Sequence, residues 1–194
     1  MQRERVADDI YVFTSELYAQ VTAGAILTTE GTILIDTLVF PEEARAIRHF
    51  LEDRLNSPVR YVINTHYHAD HTYGTCFFPD AQLVTHARCY DLLDTRGREG
   101  LAAAQHSTSE LREVHIVLPH MVFDGGTLSV RLGNKTVELR HSPGHSPDSV
   151  VCLVREDRVL FAADTMMPVP YFVDGSYDDF VASLHALQNG GFEN

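Results

Sequence analysis

The segment Thr65-His66-Tyr67-His68-Ala69-Asp70-His71 constrains this chain more than any other stretch. It sets three imidazoles and a carboxylate between His66 and His71. Imidazole nitrogens and carboxylate oxygens are the usual ligands of zinc, iron and related first-row metals. With 11 His among 194 residues, the pattern His-x-His-x-Asp-His arises by chance in roughly three sequences per thousand. A His-rich surface loop is therefore the weaker reading. The cluster also fixes its own place in a fold. It follows directly on Val59-Arg60-Tyr61-Val62-Ile63, a short strand by its β-branched and aromatic content. In α/β units, functional residues gather just past the C-terminal ends of strands.

The flanking pattern supplies such a unit. Ile10 to Phe13, Val21 to Thr29 and Thr32 to Ile35 read as strands, the last two joined by a tight turn at Glu30-Gly31. Pro41-Glu42-Glu43 opens a helix, with proline and acids where a first turn favours them. Its apolar positions Ala44, Ile47, Phe50, Leu51 and Leu55 keep helical spacing. After the cluster, Ala81 to Val84 predicts a strand, and His86 to Leu93 and Leu101 to Glu113 predict helices. From Met121 onward the pattern turns to strands: Thr127 to Leu132, Thr136 to Leu139, Val150 to Val154 and Val159 to Phe161. Asp178 to Leu187 predicts a last helix, with Phe180, Val181, Leu184 and Leu187 on one face. The order suits two packed sheets with helices outside.

Two further groups of candidate ligands lie at predicted strand ends. His141-Ser142-Pro143-Gly144-His145-Ser146 carries two imidazoles around a tight turn, and Asp164 follows the apolar run Val159 to Ala163. Alone, each reads more simply as a surface His or a turn-capping Asp. Their placement at strand ends that can share one sheet edge raises them.

These segments together resemble the metallo-β-lactamase fold superfamily of metallohydrolases. The resemblance is carried by Gly31 to Thr37, by Val62 to Gly74 with the His cluster, by Ser142-Pro143-Gly144-His145-Ser146 and by Leu160 to Asp164, in that order. It implies an α/β (α+β) fold of four layers, αββα, with a metal site along one edge of the two sheets. By the same analogy His66, His68 and His145 hold one metal, Asp70 and His71 begin a second site, and Asp164 bridges the two. Asp36 is no ligand but steadies the site, since metal-bound imidazoles generally need a carboxylate partner. The family's usual final His, on a strand after the last helix, has no counterpart. His185, the only His after Asp164, sits within the predicted helix. Gly190-Gly191-Phe192-Glu193-Asn194 reads as the lead-in to another strand. The expectation is therefore one domain over 1–194, C-terminally truncated and lacking its last strand and helix; the competing reading is a second site left incomplete or finished by a water, a neighbouring chain or a substrate.

The resemblance implies metal-assisted hydrolysis of a small ester, thioester, lactone or amide by a metal-activated water. Two zinc ions are the expected cofactor, with iron or manganese open. Asp70 is the candidate catalytic proton carrier as well as a ligand. Two other readings stand beside it: a mononuclear iron dioxygenase acting on a sulfur compound, and a non-catalytic or truncated metal-binding remnant. Tyr67, Tyr73, His120 and Tyr171 are candidates for a substrate pocket or for ordinary packing. A formal charge of -12 argues against a nucleic-acid surface. No apolar run reaches the ~20 residues that span a bilayer. The charged start, Met1 to Arg5, leads into no apolar signal segment. Cys76, Cys89 and Cys152 form no paired framework, which suits a reducing cytoplasm. The expected partners are a small-molecule substrate, no nucleic acid and no membrane, with a homodimer open.

Overall fold

The computed structural model of the chain describes residues 1–172 and 174–190. Its strands form two sheets. In the larger, spatial order follows the chain: β1 (Gln2–Ala7), β2 (Ile10–Thr14), β3 (Thr22–Thr28), β4 (Gly31–Ile35), β5 (Val59–Ile63), β6 (Gln82–His86) and β7 (Met121–Phe123). The smaller sheet runs from β8 (Thr127–Leu132) through β9 (Lys135–His141) and β10 (Val150–Val154) to β11 (Val159–Phe161).

Side chains alternate faces along a strand, and here both faces of the larger sheet are apolar. Ile33, Ile35, Ile63 and Val84 turn toward Val137, Leu139, Val150 and Cys152 of the smaller sheet. Leu34, Val62 and Leu83 turn the other way, onto Ala44, Ile47 and Leu51. The helix carrying Ala44 and Ile47, α1 (Pro41–Arg48), continues as a π-helical turn over His49–Arg54. That wider turn rotates the residues beyond it, so Leu51 is buried while Leu55, expected on the same face, is exposed.

The short helix α2 (Ala69–Thr72) follows the His cluster. Two expected helices beyond it are one run: α3 (Ala87–Leu92), a π turn over Leu93–Gly97, and α4 (Arg98–Ser107). The run stops at Ser107 rather than at Glu113. The Gln105 side-chain amide donates to the carbonyls of Leu111 and Val114, both at 2.9 Å, and folds the chain back. The last helix, α5 (Tyr177–Asn189), docks on the Pro143-Gly144 turn through Phe180 and Ser183, with Leu184 and His185 exposed. Gly144 has φ +144°, and a side chain there would overlap the Phe180 backbone. The further strand expected after Gly190 falls on 191–194, outside the described residues. No described helix is long and apolar enough to cross a membrane.

β1 has no signature in the apolar pattern. Among the described residues it is an edge strand paired with β2 alone, and five of its six residues are exposed. Charged edges of this kind deter further strand pairing.

Direction of travel brings the candidate ligands together. β4, β5 and β6 are mutually parallel, so their C-terminal ends share one edge. β9 and β11 each run antiparallel to β10 and therefore point the same way as each other. The Val150 N–H donates to the Thr65 carbonyl at 2.9 Å, joining the two sheets at that edge.

His86, at the end of β6, lies outside the candidate site and stacks on His141 at 4.0 Å between centroids. Burial, then the neighbouring His141 and Arg88, lower its pKa to about 4. Above the ordinary value of about 6.5 the ring is neutral whether the chain is folded or not. As pH falls below that value the unfolded chain takes the proton first, so stability is lost progressively down to about pH 4. His86→Asn, which keeps an acceptor for the Arg88 N–H, is expected to narrow the gap between urea midpoints at pH 7.5 and pH 5. An unchanged gap would assign the acid sensitivity elsewhere.

Candidate metal centre

The backbone of the His cluster is pinned before any ligand enters. The His71 carbonyl accepts from the Thr37 N–H, the Thr37 hydroxyl and the Asn64 side-chain amide, each at 3.0 Å. The Tyr67 N–H donates to Asp148 at 2.8 Å, and the Ser146 hydroxyl donates to the same carboxylate at 2.7 Å. Asp148 thereby ties the first His segment to the His145 turn. Its pKa is raised, burial outweighing these donors.

Three ring nitrogens converge. His66 Nε2 and His145 Nε2 each lie 2.9 Å from His68 Nδ1. The opposite nitrogen of every ring is already committed. The Thr65 hydroxyl gives its single proton to Asp36, so at 3.1 Å it accepts from His66 Nδ1. His145 Nδ1 donates to the Tyr171 carbonyl at 2.7 Å, and His68 Nε2 donates to Asp174 at 3.3 Å. Neutral imidazole has one N–H and one lone pair, so these partners turn three lone pairs onto one point. Lone pairs 2.9 Å apart repel unless a cation or a proton lies between them. Burial first, then the other imidazoles, hold the pKa of His66 well below normal and lower that of His68. A proton is thus disfavoured, and the set fits a metal ion.

A second group adjoins the first. His71 Nδ1 donates to Asp36 at 2.8 Å, which aims Nε2 inward. Nε2 is buried without a hydrogen-bond partner, 3.3 Å from Asp164 and 3.7 Å from Asp70. Burial opposes charge on this ring, but Asp36, Asp164 and Asp70 together push its pKa well above normal. Burial likewise disfavours the Asp164 carboxylate, yet His71, then His145 and His68, keep its pKa below the usual range. Asp164 reaches both groups, with its other oxygen 3.3 Å from His145 Nε2. Ligand atoms of His66, His71 and Asp164 fall within one metal-sized cluster, as do those of His66, His68 and His145.

Asp36 organises both groups. It accepts from the Thr65 N–H, the Thr65 hydroxyl and His71 Nδ1, each at 2.8 Å. It does so from φ +57°, a left-handed conformation that costs on the order of 1 kcal/mol for a non-glycine residue. Ala163, immediately before Asp164, is also left-handed at φ +45°.

Of the six sequence-predicted ligands, His66, His68, His71, His145 and Asp164 fall in these two clusters at one edge, while Asp70 lies 3.7 Å from His71 Nε2 and joins neither. His185 does not join them, and His141 turns away to stack on His86. Tyr171 lines the adjoining cleft, whereas Tyr73 is buried among Val39, Leu101 and Leu111, and His120 accepts from the Leu83 N–H. Sequence reading missed Asp148 and Asp174. Asp174 accepts from His68, from the Tyr67 hydroxyl at 2.8 Å and from Arg96 at 2.8 Å. Burial, then Asp174, raise the Tyr67 pKa to about 12, so the phenol stays a donor. Asp174→Ala is expected to weaken metal binding about tenfold, as removal of an imidazole's outer partner generally does. Arg96→Met, on an exposed side chain, should cost under about threefold. Competition with a chromogenic chelator reads both, and equal losses would move the anchoring role to Arg96.

The chain matches the sequence profile of the metallo-beta-lactamase superfamily over residues 19–188. It is 27% identical over 176 residues to the 2,4-dinitroanisole O-demethylase subunit alpha of Nocardioides sp. (strain JS1661), covering 89% of this chain and 48% of that protein. It is 28% identical over 165 residues to the atrochrysone carboxyl ACP thioesterase of Aspergillus terreus (strain NIH 2624 / FGSC A1156), covering 84% of this chain and 44% of that one. The chain thus spans about half the length of the curated relatives it matches. In fold it is similar to a metallo-beta-lactamase from Pontibacter korlensis, with a TM-score of 0.76 at 18% identity over 97% of this chain and 85% of that one.

Proposed function

The chain belongs to the metallo-beta-lactamase superfamily, and from that premise we propose that it is a metal-dependent hydrolase of a small ester, thioester, lactone or amide. The observation that carries the reading is the inward lone pair on each of His66, His68 and His145, enforced by a hydrogen bond on the opposite nitrogen. A metal ion satisfies that arrangement where burial disfavours a proton. In this reading His66, His68 and His145 hold one zinc ion, Asp70 and His71 begin a second site, and Asp164 lies between them. Bound there, the metal supplies a Lewis acid for the scissile carbonyl and lowers the pKa of water.

The chain's own residues do the rest. Asp36 and Asp174 hold the imidazoles in the ligating tautomer. Asp70, which lines the cleft 3.7 Å from His71 Nε2, would take a proton from water and return it to the leaving group. A thioesterase among the relatives supports an acyl substrate.

The test is turnover by metal-defined protein on a panel of esters, thioesters, lactones and amides. Zinc-loaded protein is expected to hydrolyse at least one class, and chelation to abolish the rate. One iron per chain with oxygen consumption and no hydrolysis would overturn the proposal in favour of an oxygenase. Stoichiometric metal with neither activity would favour a non-catalytic metal-binding role.

A further inference from the structure

The cleft beside the candidate metal centre encloses about 580 Å³ and is divided by chemistry. Its carboxylates and its imidazole, Asp36, Asp70, His71 and Asp164, lie together at the candidate metal centre. The remainder of the wall is mainly apolar, with Leu160, Phe161, Met166 and Met167 beside the neutral polar Gln20 and Thr22, and among the described lining residues there is no Lys or Arg. Phe161 is set into this wall by a missing side chain. Its ring occupies the space that a Cβ on Gly24 would take.

A second ionised group on a substrate would find no Lys or Arg along that wall and would lose part of its hydration against Phe161 and Met167. Alkyl or aryl surface would instead leave water against Phe161 and the two thioethers. Methionine side chains adapt to irregular apolar shapes, so the wall accepts a range of chain lengths rather than one outline.

We propose that the substrate arm lying in this cleft is an uncharged apolar group of several carbons, and that the cleft selects against an arm ending in a carboxylate. The proposal rests on the hydrolase reading only for the position of the scissile carbonyl, at the His71–Asp164 end.

Straight-chain alkyl hydroxamates test it without turnover, because the head group chelates a metal and the tail samples the wall. Binding to zinc-loaded protein is measured by calorimetry for the acetyl, butyryl and hexanoyl members and for a six-carbon member ending in carboxylate. The dissociation constant is expected to fall roughly threefold per added methylene. The terminal carboxylate should weaken binding at least about tenfold relative to the neutral six-carbon tail. Met166→Lys, at a position 62% exposed, should close most of that gap with zinc content unchanged. A dissociation constant independent of chain length, tighter binding of the carboxylate-ended tail, or no hydroxamate binding at all would overturn the proposal. The two readings separate cleanly. Graded binding with no ester turnover would remove the hydrolase reading alone. Turnover with flat binding would remove this one alone.

Discussion

His145→Ala is expected to remove hydrolysis by roughly a thousandfold or more, because a Lewis acid at the scissile carbonyl contributes several kcal/mol. Zinc content should fall with the rate. The reason lies in convergence rather than in number of ligands. His145 comes from the second sheet, while His66 and His68 come from the first. Without His145 the remaining pair occupies one turn, and the second sheet offers Asp164, which is shared with His71, in place of a third imidazole. Fold should be preserved, since the Ser146–Asp148–Tyr67 bridge still joins the sheets. A variant that kept full zinc with unchanged activity would place the metal elsewhere.

Asp36→Asn is the second large effect. The carboxylate takes three donors, all buried, at 2.8 Å. An amide of the same shape has one accepting oxygen and one donating nitrogen. If the nitrogen faces His71, Nδ1 must become the acceptor, the proton moves to Nε2, and the lone pair no longer points into the site. If it takes the Oδ1 position instead, the buried Thr65 N–H loses its acceptor and His71 keeps a neutral oxygen in place of a carboxylate. Either way metal affinity should fall about 10- to 100-fold, because the imidazole loses its carboxylate partner, and stability should drop by about 1–3 kcal/mol from the unpaired group. Chelator competition reads the first and urea unfolding of the metal-free protein reads the second. A loss of stability with metal affinity intact would make Asp36 a fold residue only.

The site was legible in the sequence to the extent that its residues are local or follow strand ends. His66 to His71 is a continuous segment, and Asp36, His145 and Asp164 each come after a segment whose apolar, β-branched content marks a strand. Asp148 and Asp174 were not legible. Each is a single acid whose partner, Tyr67 or His68, is 81 or 106 residues away, so no local spacing announces it. The position of Asp148, two residues beyond Ser146, was the one available signal. The fold was likewise clear wherever burial imposes a period. It was obscure at β1, whose exposed charges follow none, and at the π turns of α1 and α3, which break the period without breaking the helix.

The most direct test of the metal centre is an anomalous difference map, collected at the zinc edge, from crystals of protein purified with zinc. A peak is predicted about 2.0–2.1 Å from His66 Nε2, His68 Nδ1 and His145 Nε2, the ordinary zinc–imidazole distance. A map with no peak among those three nitrogens, or a peak that keeps its height just below the zinc edge, would contradict the zinc assignment on which the proposed hydrolysis rests.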